Sequence, residues 1–199
     1  MPPNELEIDY PFKPFIITQP WGNPNPNYAE HFNKPDWKLH NGTDANVGRK
    51  GTIEYQTRFL VYSPVVRFTV FSIENRPTGG GNEIWLISDE PLQMFERKCH
   101  ALIGMFHLHK VLVPVGHKPV AGELIAIGNN TGYSTGPHTH IGLYRVDYNG
   151  SSLTYLDKNS AEKSFNPELF FTKKYAIDKA SLSTLTSNAF RYFNYLVSR

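Results

Sequence analysis

Thr131-Gly132-Tyr133-Ser134-Thr135-Gly136-Pro137-His138-Thr139-His140 runs straight into Ile141-Gly142-Leu143-Tyr144-Arg145-Val146, so a turn punctuated by glycine and proline meets a run of β-branched and aromatic residues. The first part reads as a loop and the second, from Thr139, as a strand. Residues i and i+2 of a strand point to one face, which sends His138 and His140 to the same side. Two imidazoles buried together without an acid or a ligand are costly to charge and hard to satisfy. One of them can hold a metal while the other faces whatever binds beside it.

Strand signals of the same kind recur upstream at 59–64, 65–73, 83–87, 105–108, 110–113 and 123–127, separated by turns such as Gly79-Gly80-Gly81-Asn82. Short strands between Gly, Pro and Asn turns predict a mainly β fold, an antiparallel sheet or sandwich with long loops. The first 50 residues, with Gln19-Pro20-Trp21-Gly22-Asn23-Pro24-Asn25-Pro26-Asn27, read as loop with sparse regular structure, held by its aromatics. At the other end Leu182, Leu185, Ala189, Phe193 and Leu196 fall 3, 4, 4 and 3 residues apart in a run free of Gly and Pro. That spacing predicts a C-terminal amphipathic α-helix. Its polar face is not strongly basic, so its apolar stripe is expected to cover the sheet rather than to enter a membrane interface. The organisation that follows is one domain over residues 1–150, including the loop-rich start, and an extension over 151–199 whose helix packs on it.

Composition narrows the function. The chain has 199 residues, 20 Lys+Arg against 18 Asp+Glu for a formal charge of +2, eight His and one Cys. At roughly 100–200 residues per domain this length builds one core. A single Cys99 rules out a disulfide-stapled scaffold, and no electropositive motif surrounds it to make a nucleophile. The absence of a basic run argues against nucleic acid as a partner. No stretch approaches the roughly 20 apolar residues of a membrane span, and the N-terminus lacks the basic and apolar regions of a signal peptide.

Two more histidine constellations precede the first. In His40-Asn41-Gly42-Thr43-Asp44 an imidazole and a carboxylate stand four residues apart across an Asn-Gly turn, so they converge only if the loop folds back. In Phe106-His107-Leu108-His109 period two sends both imidazoles to one side, and spacing alone does not choose between them.

Together these residues resemble the LytM/lysostaphin-type zinc metalloendopeptidases, which cleave peptidoglycan cross-bridges. The resemblance runs from about residue 17 to 144. The family's His-x-Gly-x-Asp is matched by His40 to Asp44, and its Thr-Gly-x-Ser-Thr-Gly-Pro-His-x-His by Thr131 to His140. Its aromatic-His-Leu segment, followed by a Val- and Gly-rich turn, is matched by Phe106-His107-Leu108 and Val113 to Gly122, which selects His107 over His109. The resemblance implies that His40, Asp44 and His140 bind one Zn²⁺ per chain, leaving a fourth position for water as in catalytic sites. It further implies that His107 and His138 are the catalytic proton-transfer pair, with Tyr133 lining the substrate site. Ala126, Asn129, Thr139 and Gly142 depart from the family's usual residues without removing a ligand. His31, His100, His109 and His117 are left as structural or surface.

The function so implied is a zinc-dependent endopeptidase that hydrolyses peptide cross-links of cell-wall peptidoglycan, such as a phage lysin. Its specificity would depend on the loops at 23–36 and 75–101. Synthesis in the cytoplasm with release by lysis, another export route, or a mature form shorn of its signal would fit the N-terminus. The alternative is a catalytically silent LytM-like module that binds wall peptides or activates a hydrolase.

Overall fold

Apolar residues alternate between two faces along the central strands, and the alternation sets the architecture. The computed structural model describes residues 4–33, 35, 38–56, 58–157 and 164–198. In chain order these form β1 (Ile8–Tyr10), β2 (Ile16–Gln19), α1 (Pro26–His31), β3 (Thr43–Asn46), β4 (Phe59–Tyr62), β5 (Phe68–Arg76), β6 (Gly81–Ser88), β7 (Leu92–Met94), β8 (Arg97–Val111), β9 (Leu124–Gly128), β10 (Thr139–Tyr148), β11 (Leu153–Tyr155), β12 (Phe171–Tyr175) and α2 (Leu182–Val197). The mainly β, antiparallel class with a C-terminal helix is what the turn-punctuated strand pattern predicts. Residues 34 and 36 of the expected specificity loop lie outside the described residues.

The main sheet runs in the order β2-β3-β10-β8-β6-β5, with β9 joining β8 to β4 and β11 lying against β10. On one face Ile84, Leu86, Ile103, Met105, Ile141 and Leu143 join the large core. Trp85, Ile87, Leu102, Phe106, Tyr144 and Val146 form a second cluster from the alternate positions of the same strands. His140 shares its face with Tyr144, four residues on, and so belongs to the aromatic side.

Three local outcomes differ from the sequence expectations. The runs at 105–108 and 110–113 are not separate strands: Arg97–Val111 is one strand of 15 residues, ending before Leu112. The expected strand at 65–73 begins only at Phe68, because Arg67 sits in the left-handed region at φ 61 and interrupts extended backbone. The N-terminal loop region carries more regular structure than its composition suggests, since partners distant in sequence supply the ladders. β2 pairs with β3, and β1 runs parallel to β12.

The helix is present but turned over. Leu182 is 81% and Phe193 60% exposed, and Leu185 and Leu196 also face solvent, so the apolar stripe does not cover the sheet. Thr184, Asn188 and Tyr195 are its buried residues. Asn188 accepts from the Leu124 N–H at 2.5 Å and donates to the Gly122 carbonyl at 2.8 Å. Arg191 donates to the Leu112 carbonyl and to Glu123, whose other oxygen accepts the Val120 N–H. Hydrogen bonds to the start of β9 and to the residue after β8 orient this helix, which an apolar period cannot reveal. Among the described residues no helix is long and apolar enough to cross a membrane.

This reversal makes a stability prediction. Asn188→Ala strands a buried donor and acceptor and should cost about 2 kcal/mol in urea unfolding, whereas Phe193→Ser should stay within about 0.5 kcal/mol of the parent.

Candidate active site

β10 places its first residues between two neighbours. His140 lies directly opposite Asp44 on β3 and opposite Phe106 on β8. The Phe106 ring stacks on the His140 imidazole with centroids 5.0 Å apart and planes 8° from parallel, which fixes the imidazole plane. Gly42 allows the approach from the third side, for a Cβ there would lie 2.4 Å from His140 Nε2. His40 completes the group from the loop before β3. Its Nδ1 lies 3.0 Å from the Pro20 carbonyl, an acceptor only, so the proton sits on Nδ1 and Nε2 presents a lone pair.

His40 Nε2, Asp44 Oδ1 and His140 Nδ1 converge at separations of 3.0, 3.0 and 3.1 Å. A tetrahedral ion with bonds of ~2.0–2.1 Å has ligand-to-ligand edges of about 3.3 Å, so the donor spacing fits one. All three residues are buried. With Nδ1 turned inward, the His140 Nε2 is left buried with no hydrogen-bond partner among the described residues. Burial would raise the Asp44 carboxyl, but the surrounding imidazoles of His138, His140 and His40 hold it well below the usual carboxylate range. Burial lowers His140, against the opposing pull of Asp44. A carboxylate and a neutral imidazole are the protonation states that a bound cation requires.

His107 reaches the same side by a break in the ladder. In a regular strand it would point away from Phe106, toward the main core. Its φ is 61, and the β6–β8 register slips so that Asn82 faces Leu108 while Ile84 faces Met105. This bulge turns the imidazole back to the site, a use of strained backbone that recurs at functional positions. His109 instead lies beside Tyr195 of α2, with centroids 6.0 Å apart. The choice that period two leaves open is thus made by the bulge.

His107 and His138 have ring centroids 4.6 Å apart. His107 Nδ1 donates to the Thr131 carbonyl at 2.8 Å and His138 Nδ1 to the Gly136 carbonyl at 2.7 Å. Each proton is therefore held by backbone on the far side, and each Nε2 is left for chemistry. His138 Nε2 lies 3.4 Å from Asp44 Oδ2. Burial, reinforced by the neighbouring His138 and His140, pushes His107 down to about 3, so it is neutral at physiological pH. Gly132 supports this loop at φ 75, where a Cβ would lie 2.3 Å from the Gly81 nitrogen.

A cleft of about 680 Å³ opens from His107 and His140 along the aromatic face. Phe71, Trp85, Phe106, Tyr144 and Tyr155 line it. Beside Trp85, the fully buried Glu83 is paired with Arg76 and accepts the indole N–H at 3.0 Å. Tyr133 lines the cleft as well, stacked on His31 at 3.4 Å between centroids, and His31 Nε2 reaches the Thr78 carbonyl at 3.1 Å. His31 is exposed, in keeping with its reading as structural or surface, whereas the sequence reading passed over the aromatic floor. The signal for the floor was available: Trp85, Phe106 and Tyr144 alternate with core residues, and Tyr144 shares the parity of His140. His100 and His117 lie elsewhere, on the Ser88 carbonyl and on Glu123. Cys99 is buried, which pushes its thiol up to about 11.

No family model matches the chain. A curated relative, the glycyl-glycine endopeptidase ALE-1 of Staphylococcus capitis, is 40% identical over 121 residues, covering 55% of this chain and 31% of that protein. The chain therefore spans about a third of the length of that relative. Among solved structures, a zinc-containing peptidase from Vibrio cholerae superposes with a TM-score of 0.51 at 23% identity, covering 82% of this chain and 41% of that one. A chain of the SpoIIQ–SpoIIIAH pore-forming complex gives a TM-score of 0.53 at 16% identity, covering 88% and 98%. These structural likenesses bear on the fold, and the stretch shared with ALE-1 adds sequence to it. The chain thus shares its fold with a zinc-containing peptidase and, over 121 residues, is similar in sequence to a glycyl-glycine endopeptidase.

Proposed function

We propose that this chain is a zinc-dependent endopeptidase that hydrolyses peptide cross-links of bacterial peptidoglycan, with His40, Asp44 and His140 as metal ligands and His107 and His138 as catalytic residues. The observation that carries the reading is the meeting of three buried lone-pair donors 3.0–3.1 Å apart with two imidazoles whose Nδ1 atoms are held by backbone carbonyls. A purely structural module would need the first group and not the second, and a silent wall-binding module would need neither intact. ALE-1, named for cleaving glycyl-glycine bonds, supports a peptide as the substrate class.

When bound, zinc supplies a Lewis acid that polarises a carbonyl and lowers the pKa of water to about 7. The chain's own residues do the rest. The aromatic cleft holds the peptide and excludes water around the scissile bond. His107, neutral by burial, accepts a proton at Nε2 from the attacking water. His107 then returns that proton from Nε2 to the leaving amine, while His138, when protonated on both ring nitrogens, hydrogen-bonds the developing oxyanion through Nε2. The backbone carbonyls of Thr131 and Gly136 hold Nδ1 of both rings, so that each Nε2 faces the site.

His140→Ala should lose zinc and wall-digesting activity together, as read by metal analysis and release of muropeptides. His138→Ala should keep most of its zinc and lose turnover by roughly 10²–10⁴. Full hydrolysis by either variant would overturn the assignment.

The buried imidazoles also set a pH dependence for the metal-free protein. His107 titrates near 3 when folded against 6.5 for the free side chain, and His140 is shifted the same way. Between those values the unfolded chain binds more protons, so stability rises with pH and is lost as pH falls through the window. Asp44, depressed when folded, acts in the same direction below 3.8. Urea midpoints of the chelated protein should fall steadily from pH 7 to pH 4, and His107→Gln should flatten that slope. A midpoint independent of pH would show that the imidazoles are not buried.

A further inference from the structure

The extension beyond residue 150 reaches the metal centre at one point. A short 3-10 helix, Pro167–Phe170, is capped by the Asn166 side chain, which accepts the Glu168 N–H, and is anchored by the buried Pro167 and Phe170. Its Glu168 turns a carboxylate oxygen toward the segments that carry His40 and Asp44. Oε1 accepts the Trp21 backbone N–H and the Thr43 hydroxyl, both at 2.8 Å. Nearby, Ser164 accepts the Trp21 indole N–H at 3.0 Å, and the Phe165 N–H donates to Leu143 on β10 at 2.6 Å.

Both of the Glu168 partners are one step from a metal ligand. Thr43 precedes Asp44 on β3, pairs with Ile141 while Asp44 pairs with His140, and is fully buried. The Trp21 N–H belongs to the same peptide unit as the Pro20 carbonyl, the group that holds the proton of His40 at Nδ1. In a trans peptide the N–H and C=O point in opposite directions, so Glu168 on one side and His40 on the other fix the plane of one rigid group. A carboxylate on the N–H polarises the carbonyl it is conjugated with, and that carbonyl becomes a better acceptor for the imidazole. The chain of contacts is the carboxylate–histidine–metal arrangement common at zinc sites, here with a peptide group inserted between acid and ring.

We infer that Glu168 is a positioning residue for the metal centre, acting through the Pro20–Trp21 peptide on His40 and through Thr43 on Asp44. This rests on the metal-centre reading above. The C-terminal extension is thereby part of the catalytic apparatus rather than an appendage, although it lies outside the stretch whose motifs resemble the peptidase family.

The test is zinc affinity, measured on the full chain by chelator competition, together with the absorption spectrum of the Co²⁺-substituted protein. E168A should weaken zinc binding about tenfold, the low end of the range for residues that support metal ligands, and should shift the cobalt bands at saturation. E168Q keeps an acceptor oxygen without the charge and should recover most of the affinity. T43V, which keeps the shape of the side chain, removes one of the two contacts and should fall between wild type and E168A. A merely structural role would lower thermal stability while leaving the zinc affinity and cobalt spectrum of the folded protein unchanged. That result in E168A, or in T43V if E168A does not fold, would overturn the inference. A wild-type chain that binds no zinc would overturn the metal-centre reading itself and this inference with it.

Discussion

Three electron-rich atoms, His40 Nε2, Asp44 Oδ1 and His140 Nδ1, are held 3.0–3.1 Å apart in a buried place. Lone pairs at that separation repel unless a proton or a cation lies among them, and burial removes the water that would screen them. The surrounding structure must therefore impose the geometry. It does so from several directions at once: the β3–β10 register sets Asp44 against His140, the Phe106 ring backs the His140 imidazole, Gly42 leaves it room, and the Pro20 carbonyl orients His40. The proposed peptidase chemistry depends on this enforced meeting, because the same rigidity that makes the group costly without a cation makes it selective for one.

The second requirement is to bring proton-transfer groups beside that point without adding them to the ligand set. A regular strand would fail, since the residue after Phe106 faces the opposite side of the sheet. The bulge at His107 solves the problem within one residue, and backbone carbonyls then fix the tautomers of His107 and His138. The strain is local, while β8 continues to pair with β9 beyond it.

Much of this was legible in the sequence, and the limits have physical causes. Period two put His138 and His140 on one face, and β-branched runs between turns gave the sheet. The turn of His107 was not legible, because a bulge breaks the rule by which strand faces are read. Nor was the orientation of α2. Its stripe of Leu182, Leu185, Phe193 and Leu196 has the spacing of a buried face, yet Asn188 and Arg191 bind the start of β9 more specifically than apolar contact could and turn the stripe to solvent. The reach of Glu168 to Trp21 and Thr43 depends on contacts more than a hundred residues apart, which no local pattern encodes.

The central claim is that two imidazoles and one carboxylate from these three positions hold zinc. Anomalous diffraction at the zinc edge from crystals grown with the metal tests it most directly. The account predicts one peak per chain, with His40 Nε2, Asp44 Oδ1 and His140 Nδ1 each at ~2.0–2.2 Å from it. A peak coordinated by other histidines, or none at this position in zinc-replete crystals, would contradict it.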